Sequence, residues 1–320
     1  MTETAKKYRL LTRSDFDGLV CAILLKDMKI LGDIKFVHPK DMQDGVVEVN
    51  ENDILTNLPY VKGCHLCFDH HTSEVARNDG LVLDDYILLP GADSAARVVY
   101  DYYGGKERFP GIGEDMMDAV DKADAAKFNR EEVLNPVGWE LLSFLMDART
   151  GLGRFHDFRV SNYQLMMDLI YFCKDHTIEE ILALPDVQER VNVYREHEIK
   201  AKEQIERCST VHGNLVVLDL RNEETIFATN RFIIYSMFPQ CNISIHVLWG
   251  KMQQNTVFTI GKSIFDRSCT TDVGDLCLKY HGGGHTAAGT CQVPHEESAK
   301  VLAELIGQIN EEAGITSGVS

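Results

Sequence analysis

Short apolar runs alternate with amphipathic stretches over the first hundred residues of this chain. The run "YRLLT" at residues 8–12 predicts a buried strand, and residues 18–30 follow with helical spacing. Further strands are predicted in "IKFVHP", "DILTNLP", "HLCFDHH" and "YILLP", with a helix over residues 94–103. Strands that alternate with helices in this way indicate an α/β fold with a parallel sheet. Ligands of such sheets bind beyond the carboxyl ends of the strands.

A highly charged segment with one apolar stripe follows, and its spacing is typical of a connecting helix. Strand patterns then return in "NLVVLDL", "NISIHVLWG" and "NTVFTIGKS", and a final helix is predicted at about residues 296–310. We therefore predict a parallel-sheet domain over residues 1–190 and a connecting helix over 191–211. A smaller α/β domain with these strands and the final helix is predicted over residues 212–320.

The net charge of −17 limits the partners that the chain can bind. No run of Lys or Arg offsets this charge, so the surface would repel long duplex nucleic acid, and a phosphate-bearing ligand is expected to be short. The chain begins with the polar "MTETAKKYRL", and its nine cysteines have no framework spacing. We expect reduced thiols, a cytoplasmic protein and no membrane partner, and a homo-oligomer stays open.

Acidic and imidazole side chains follow two of the predicted strands. Asp15 and Asp17 in "SDFDG" stand between the first strand and the first helix. Two carboxylates so close repel each other unless a cation lies between them, and oxygen ligands suit Mg²⁺ or Mn²⁺. Asp69, His70 and His71 end another strand, and imidazole with carboxylate favours Mn²⁺ over Ca²⁺. Helix capping or packing is the alternative for each residue taken alone.

Near the carboxyl end, "HGGGHTAAG" spans residues 281–289. Its glycines let backbone amides approach an anion closely, and the histidine that follows them can donate to a phosphate oxygen. The upstream "GKSIFDRS" adds side chains that suit an anion, with a solvated surface as the alternative. The predicted substrate-binding residues are Gly282, Gly283, Gly284, His285, Lys262, Ser263 and Arg267.

With these motifs the chain resembles the DHH phosphoesterase superfamily over nearly its whole length. "SDFDG" resembles the first motif and "FDHH" the naming motif, Asp124 lies where the last acidic motif is expected, and "GGGHTAAG" resembles the C-terminal signature of the nuclease-like branch. The resemblance implies a parallel-sheet domain that holds one or two Mn²⁺ ions, with Mg²⁺ as the alternative, and a smaller mixed-sheet α/β domain. Asp15 and Asp17 would bind opposite metals, His70 and Asp124 would join Asp17, and Asp69 and His71 would orient neighbours or contact the scissile phosphate.

Two positions depart from the pattern of the superfamily. Leu11 stands where many members have a histidine, and Asn57 stands where a metal-bridging aspartate normally ends the third strand. A neutral amide bridges two cations poorly, although we keep Asn57 among the predicted metal residues. His38, Asp41 and Asp53 are candidate substitutes.

The predicted function is that of a metal-dependent phosphoesterase with a short nucleotide substrate. An oligoribonucleotide, a cyclic dinucleotide or a nucleotide bisphosphate would be hydrolysed by a metal-activated hydroxide. Two alternatives remain open: an exopolyphosphatase, and a nucleotide-binding pseudoenzyme whose metal site Asn57 weakens.

Overall fold

The computed structural model describes residues 6–71, Glu74 and residues 83–315. The chain divides into two compact units. The first comprises Met1–Phe128 and Pro136–Tyr194, and the second comprises Asn129–Asn135 and Arg195–Ser320. None of the helices in the described ranges is long and apolar enough to cross a membrane.

A parallel sheet of five strands forms the centre of the first unit. The strands are β1 (Tyr8–Thr12), β2 (Leu31–Phe36), β3 (Asp53–Thr56), β4 (Leu66–Asp69) and β5 (Tyr86–Leu88). Their order in space is β2-β1-β3-β4-β5. Because the chain returns past β1 to add β3 on its other side, a crevice opens at the carboxyl ends of β1 and β3.

The helices of the described chain are mostly short. They are α1 (Phe16–Asp27), α2 (Pro39–Gln43), α3 (Ala95–Tyr102), α4 (Gly105–Arg108), α5 (Glu114–Asp124), α6 (Arg130–Leu134), α7 (Gly138–Met146), α8 (Asn162–Phe172), α9 (Ile178–Leu182), α10 (Pro185–Cys208), α11 (Ile233–Met237), α12 (Val273–Leu278) and α13 (His295–Glu312). The predicted end of the first helix at residue 30 is wrong. The helix ends at Asp27 because Lys29 takes a left-handed backbone conformation with φ 59°.

The core of the first unit explains why its strands read as continuous apolar runs. Leu10, Leu11, Ile54 and Leu55 are all fully buried, as expected for a parallel sheet covered on both faces. Leu11 belongs to an apolar cluster that also contains Leu55 and Cys67. The position that holds histidine in many DHH proteins is therefore a core position in this chain.

The second unit contains a mixed sheet of six strands. They are β6 (Ser209–His212), β7 (Leu215–Asp219), β8 (Ile243–Trp249), β9 (Thr256–Lys262), β10 (Gly283–His285) and β11 (Ala288–Val293), in the order β10-β11-β9-β8-β7-β6. Only the β7–β8 pair is parallel within this described sheet. One face packs against residues of α12 and α13 to form the core. This arrangement agrees with the predicted α/β class.

We expect the second unit to lose stability in mild acid because of His246. Successive side chains of β8 alternate between faces, so His246 faces away from the core cluster that holds Ile245 and Val247. Burial lowers the pKa of His246 to about 4 from the ordinary value of 6.5. The unfolded chain therefore takes up a proton at a higher pH than the folded chain, so the free energy of unfolding falls as the pH drops from about 6.5 towards 4.

Urea denaturation at pH 7.5 and pH 5 measures this effect. In His246→Gln the free energy of unfolding should fall less between the two pH values than in the wild type. His212→Gln on β6 is the matched control and should lose as much stability as the wild type. An equal loss in the wild type and in His246→Gln would contradict the assignment.

Candidate metal centre

Two aspartates are fixed where α1 begins. Asp15 caps the helix, and its Oδ1 accepts a hydrogen bond from the backbone N–H of Gly18 at 3.0 Å. The buried Asp17 carboxylate accepts hydrogen bonds from two further backbone N–H groups, those of Ala95 at 3.0 Å and Ala96 at 2.7 Å. These amides begin α3, where the helix dipole stabilises an anion. The two helices together hold Asp17 at the carboxyl edge of the sheet.

The strand β4 ends in the Asp69-His70-His71 run. Asp69 Oδ1 accepts hydrogen bonds from the His70 backbone N–H at 2.8 Å and from His71 Nδ1 at 2.6 Å. His70 Nδ1 lies 3.1 Å from the carbonyl oxygen of Ala92. Because a carbonyl only accepts, Nδ1 of His70 carries the proton, and Nε2 of the neutral ring is left with a free lone pair.

Asp17, His70 and Asp124 converge on one point. Each offers a ligand atom, and these atoms all lie within 4.8 Å of one another. His70 Nε2 lies 2.9 Å from Asp124 Oδ2, yet it is buried and makes no well-aligned hydrogen bond. A lone pair directed at two carboxylates suits a cation, and a set of two carboxylates with one imidazole suits a divalent metal ion. The three residues therefore fit a metal site.

The electrostatics of the three groups agree with a site for positive charge. Burial and the nearby Asp124 raise the pKa of Asp17 to about 8. Burial opposes the charged form of His70, but Asp124 and Asp17 outweigh it and raise the pKa of His70 to about 9. Burial likewise disfavours the charged form of Asp124, but the contact with His70 keeps the pKa of this carboxyl below its usual range. Without a bound cation the His70 ring therefore carries a proton on Nε2 at neutral pH, and a metal ion would displace this proton to bind the Nε2 lone pair.

Asn57 lies beside Asp15, as the alignment of strand ends predicted. It follows β3 with a left-handed backbone, φ 54°. Its Nδ2 donates to Asp15 Oδ1 at 3.2 Å, and its Oδ1 is buried without a donor among the described residues. Asp15 is not a member of the cluster formed by Asp17, His70 and Asp124.

Two arginines near Asp15 were missed by sequence reasoning. Arg13 Nε lies 3.0 Å from Asp15 Oδ2. Arg149 follows α7 in a tight turn, with its Nε bonded to Asp147 at 2.7 Å. Burial raises the pKa of Asp15, and the charges of Arg13 and Arg149 act against that rise. Arg13 could have been found from its place two residues before Asp15, but no local signal connects Arg149 with this site.

No protein-family model and no curated protein matches this chain. Solved structures do match it. The pGpG-specific phosphodiesterase PggH of Vibrio cholerae is 59% identical, with a TM-score of 0.81, over 96% of this chain and 100% of its own. An exopolyphosphatase-related protein from Bacteroides fragilis is 12% identical, with a TM-score of 0.52, over 98% of this chain and 95% of its own. The Mn²⁺ complex of RecJ from Thermus thermophilus is 12% identical, with a TM-score of 0.51, over 96% of this chain and 52% of its own.

The chain belongs to the DHH phosphoesterase superfamily. The resemblance drawn from the motifs is thereby confirmed, as are the α/β two-domain fold class and the prediction of an enzyme of the phosphoesterase class. The two relatives at 12% identity show a shared fold alone. The individual roles of the site residues stay predictions.

The candidate substitute ligands of this DHH protein lie outside the metal cluster. His38 caps α2, and its Nδ1 accepts from the Lys40 backbone N–H at 3.2 Å. Asp41 lies within α2. Asp53 begins β3 at the opposite edge of the sheet, where it pairs with Arg9 at 2.7 Å. Over the described ranges, the cluster at Asp17 includes none of the three.

The glycine motif lies in the second unit, on β10 and the turn to β11. A Cβ on Gly282 would lie 2.3 Å from the carbonyl oxygen of Thr290, so packing alone requires a glycine there. His285 Nδ1 accepts from the Ala287 backbone N–H at 3.3 Å, and Thr286 donates to Asp272 at 2.9 Å. These bonds fix the shape of the turn.

The other predicted substrate contacts follow β9 in the same unit. Lys262 Nζ donates to the carbonyl oxygen of Cys269 at 3.2 Å, and Arg267 Nε donates to that of Ile264 at 3.4 Å. Ser263 Oγ accepts from the backbone N–H groups of Phe265 and Asp266, each at 3.1 Å. Their contact with a substrate stays a prediction.

We expect Asp69→Asn to slow hydrolysis by about 10- to 100-fold. This is the usual loss of activity when a carboxylate that orients a histidine in a metal site is removed. The substitution keeps the size of the side chain but removes the charge that holds His71 Nδ1 at 2.6 Å. Steady-state kinetics on bis-p-nitrophenyl phosphate, with metal content determined on the same samples, measure the change. Asp85→Asn, which weakens a contact with Tyr60, is the control. Unchanged turnover in Asp69→Asn would remove Asp69 from the active site.

Proposed function

We propose that this chain is a metal-dependent phosphodiesterase whose substrate is a short linear dinucleotide such as pGpG. The convergence of Asp17, His70 and Asp124 supports the reaction class, since their ligand atoms lie within 4.8 Å of one another. The choice of pGpG as substrate is supported by the relative at 59% identity, which is a pGpG-specific phosphodiesterase. Hydrolysis of the single phosphodiester bond of pGpG by one water molecule would yield two molecules of GMP.

Asp17, His70 and Asp124 are proposed to hold the metal ion, with Mn²⁺ preferred over Mg²⁺ because one ligand is an imidazole. When bound, such an ion polarises a phosphate oxygen and lowers the pKa of a coordinated water. The chain itself fixes the ligands before the ion arrives. The Ala92 carbonyl orients the His70 ring, and the amides of Ala95 and Ala96 hold Asp17.

His71 is proposed to contact the scissile phosphate. Its side chain is 34% exposed, while Asp69 below it is buried and holds the Nδ1 proton. Burial opposes the charged form of His71, yet Asp69 outweighs it and raises the pKa of the ring. A protonated ring has Nε2–H free to donate to a phosphate oxygen. In the second unit, the proposed substrate-binding residues remain Gly282–Gly284, His285, Lys262, Ser263 and Arg267.

A small substrate and a cytoplasmic location agree with the properties of the whole chain. The net charge of −17 disfavours a long polyanion such as duplex nucleic acid. All nine cysteines lie in the described ranges and are free thiols, which suits a reducing compartment. We propose a cytoplasmic phosphodiesterase on this basis.

Hydrolysis of pGpG before and after metal removal tests the proposal. Protein treated with a chelator should be inactive, and Mn²⁺ should restore the release of GMP, followed by chromatography. A cyclic dinucleotide and polyphosphate are offered under the same conditions. Faster cleavage of polyphosphate would favour the exopolyphosphatase, and tight pGpG binding without turnover in the Mn²⁺-loaded protein would favour the nucleotide-binding alternative.

A further inference from the structure

The Asp15 carboxylate already has a full set of partners within the chain. Oδ1 accepts from the Gly18 backbone N–H at 3.0 Å and from Asn57 Nδ2 at 3.2 Å. Oδ2 lies 3.0 Å from Arg13 Nε and 3.4 Å from Asn57 Nδ2. A carboxylate has about four acceptor positions, so three hydrogen bonds and the ion pair with Arg13 leave little room for a metal ion at these oxygens. Asp15 therefore differs from Asp17 and Asp124, which face the buried lone pair of His70.

The surroundings of Asp15 also lack the ligands that a second divalent ion needs. Leu11 is fully buried and apolar, so that position offers no imidazole. Asn57 brings a neutral amide, 2% exposed, to the place of a bridging carboxylate. Over the described residues, Asp17, His70 and Asp124 form the only group of three or more His, Cys, Asp or Glu side chains placed to hold a metal ion, and Asp15 is not part of it. One divalent site fits the chain, and the second does not.

Arg13 brings a positive charge next to Asp15, the residue that would bind the other metal ion in the pattern of the superfamily. Its Nε contacts Asp15, and its two outer nitrogen atoms donate no hydrogen bond to the described residues. The side chain is 36% exposed, so a ligand can reach these groups. A guanidinium offers paired N–H donors that match phosphate geometry and carries its charge at every physiological pH.

We propose that the site holds one divalent ion, at Asp17, His70 and Asp124, and that the Arg13 guanidinium replaces the second ion beside Asp15. In this arrangement the outer N–H groups of Arg13 bind an oxygen of the phosphate that the enzyme cleaves. The inference rests on the proposed metal-dependent hydrolysis and specifies the composition of its site. The proposal also gives Asn57 a function. With a neutral amide beside Asp15, the guanidinium balances one negative charge, whereas an aspartate at position 57 would add a second.

The number of Mn²⁺ ions bound by the full-length protein tests the proposal without an activity assay. Titration calorimetry and metal analysis should give one ion per chain, and the electron paramagnetic resonance spectrum should be that of isolated Mn²⁺. Two ions per wild-type chain with an exchange-coupled spectrum would overturn the proposal. If the wild type binds no ion and has no turnover, the proposed function fails instead.

Substitutions of Arg13 test how much the guanidinium contributes to turnover. Arg13→Gln should still bind one Mn²⁺ ion, but its turnover should fall by about 100-fold, the usual loss for one electrostatic donor. Arg13→Lys should recover part of the rate. Arg159→Ala is the control, since Arg159 is an exposed arginine paired with Asp186. Unchanged turnover in Arg13→Gln would overturn the role of the guanidinium.

A double substitution tests why the second ion is absent. Arg13→Gln with Asn57→Asp removes the guanidinium and places a second carboxylate next to Asp15, so this protein should bind two Mn²⁺ ions. If it still binds one, the positions of Arg13 and Asn57 do not determine the composition of the site, and the proposal is wrong. Thermal unfolding of each variant shows that the comparison is made on folded protein.

Discussion

His70→Ala should bind no divalent ion and should hydrolyse pGpG at least about 10³-fold more slowly than the wild type, since a catalytic metal contributes several kcal/mol. His70 supplies the only nitrogen ligand of the cluster with Asp17 and Asp124. Its loss leaves the buried carboxylate of Asp17 and the half-buried carboxylate of Asp124 to repel each other, with no imidazole to balance them. We expect the chain to stay folded, because the strand β4 and the bonds from Asp69 to its neighbours do not depend on the ring.

Metal analysis, calorimetric titration with Mn²⁺ and single-turnover kinetics on the same preparation measure these losses. His65→Ala is the matched control, since His65 stands just before the amino end of β4 and stacks on Tyr8 at 4.0 Å. That variant should keep the ion and the turnover. If His70→Ala retains a full complement of Mn²⁺, the metal lies elsewhere and the cluster is only an ion pair.

The ligand cluster could be predicted from the sequence because it follows from strand ends. His70 comes directly after β4, and Asp17 lies in the first turn of α1, which follows β1 after a short turn. The carboxyl ends of parallel strands share one edge of the sheet. Asp124 ends α5 and was placed by the family resemblance alone. The structure brings all three to one point, although more than fifty residues separate each from the next.

Other parts of the site could not be predicted from the types of their side chains. Ala92, Ala95 and Ala96 position His70 and Asp17 through backbone groups, so their identity as alanines predicts nothing. Arg149 reaches the site from a distant turn, and its place depends on how α7 packs. The end of α1 could not be predicted either, because the residue with the left-handed backbone is Lys29 and not the glycine that usually marks a helix end.

Gly18→Ala should lower the free energy of unfolding by about 3 kcal/mol, at the upper end of the usual cost of overpacking. A Cβ at this position would lie 2.0 Å from the Arg13 carbonyl oxygen and 2.8 Å from Thr12 Oγ1. Neither of these oxygen atoms can move away easily. The Arg13 carbonyl is part of the main chain in the turn to α1, and the Thr12 hydroxyl bonds with Thr56 in the buried sheet.

The same clash should displace the metal site, because Asp17 directly precedes Gly18 in the first turn of α1. Urea denaturation and Mn²⁺ titration should therefore both change in Gly18→Ala, whereas only the titration changes in His70→Ala. Gly111→Ala in the same unit is the matched control, since its Cβ would lie 3.8 Å from Lys174 Cε, an ordinary contact. If Gly18→Ala unfolds at the same urea concentration as Gly111→Ala, the turn tolerates a side chain, and the glycine of "SDFDG" is not required by the packing at the start of α1.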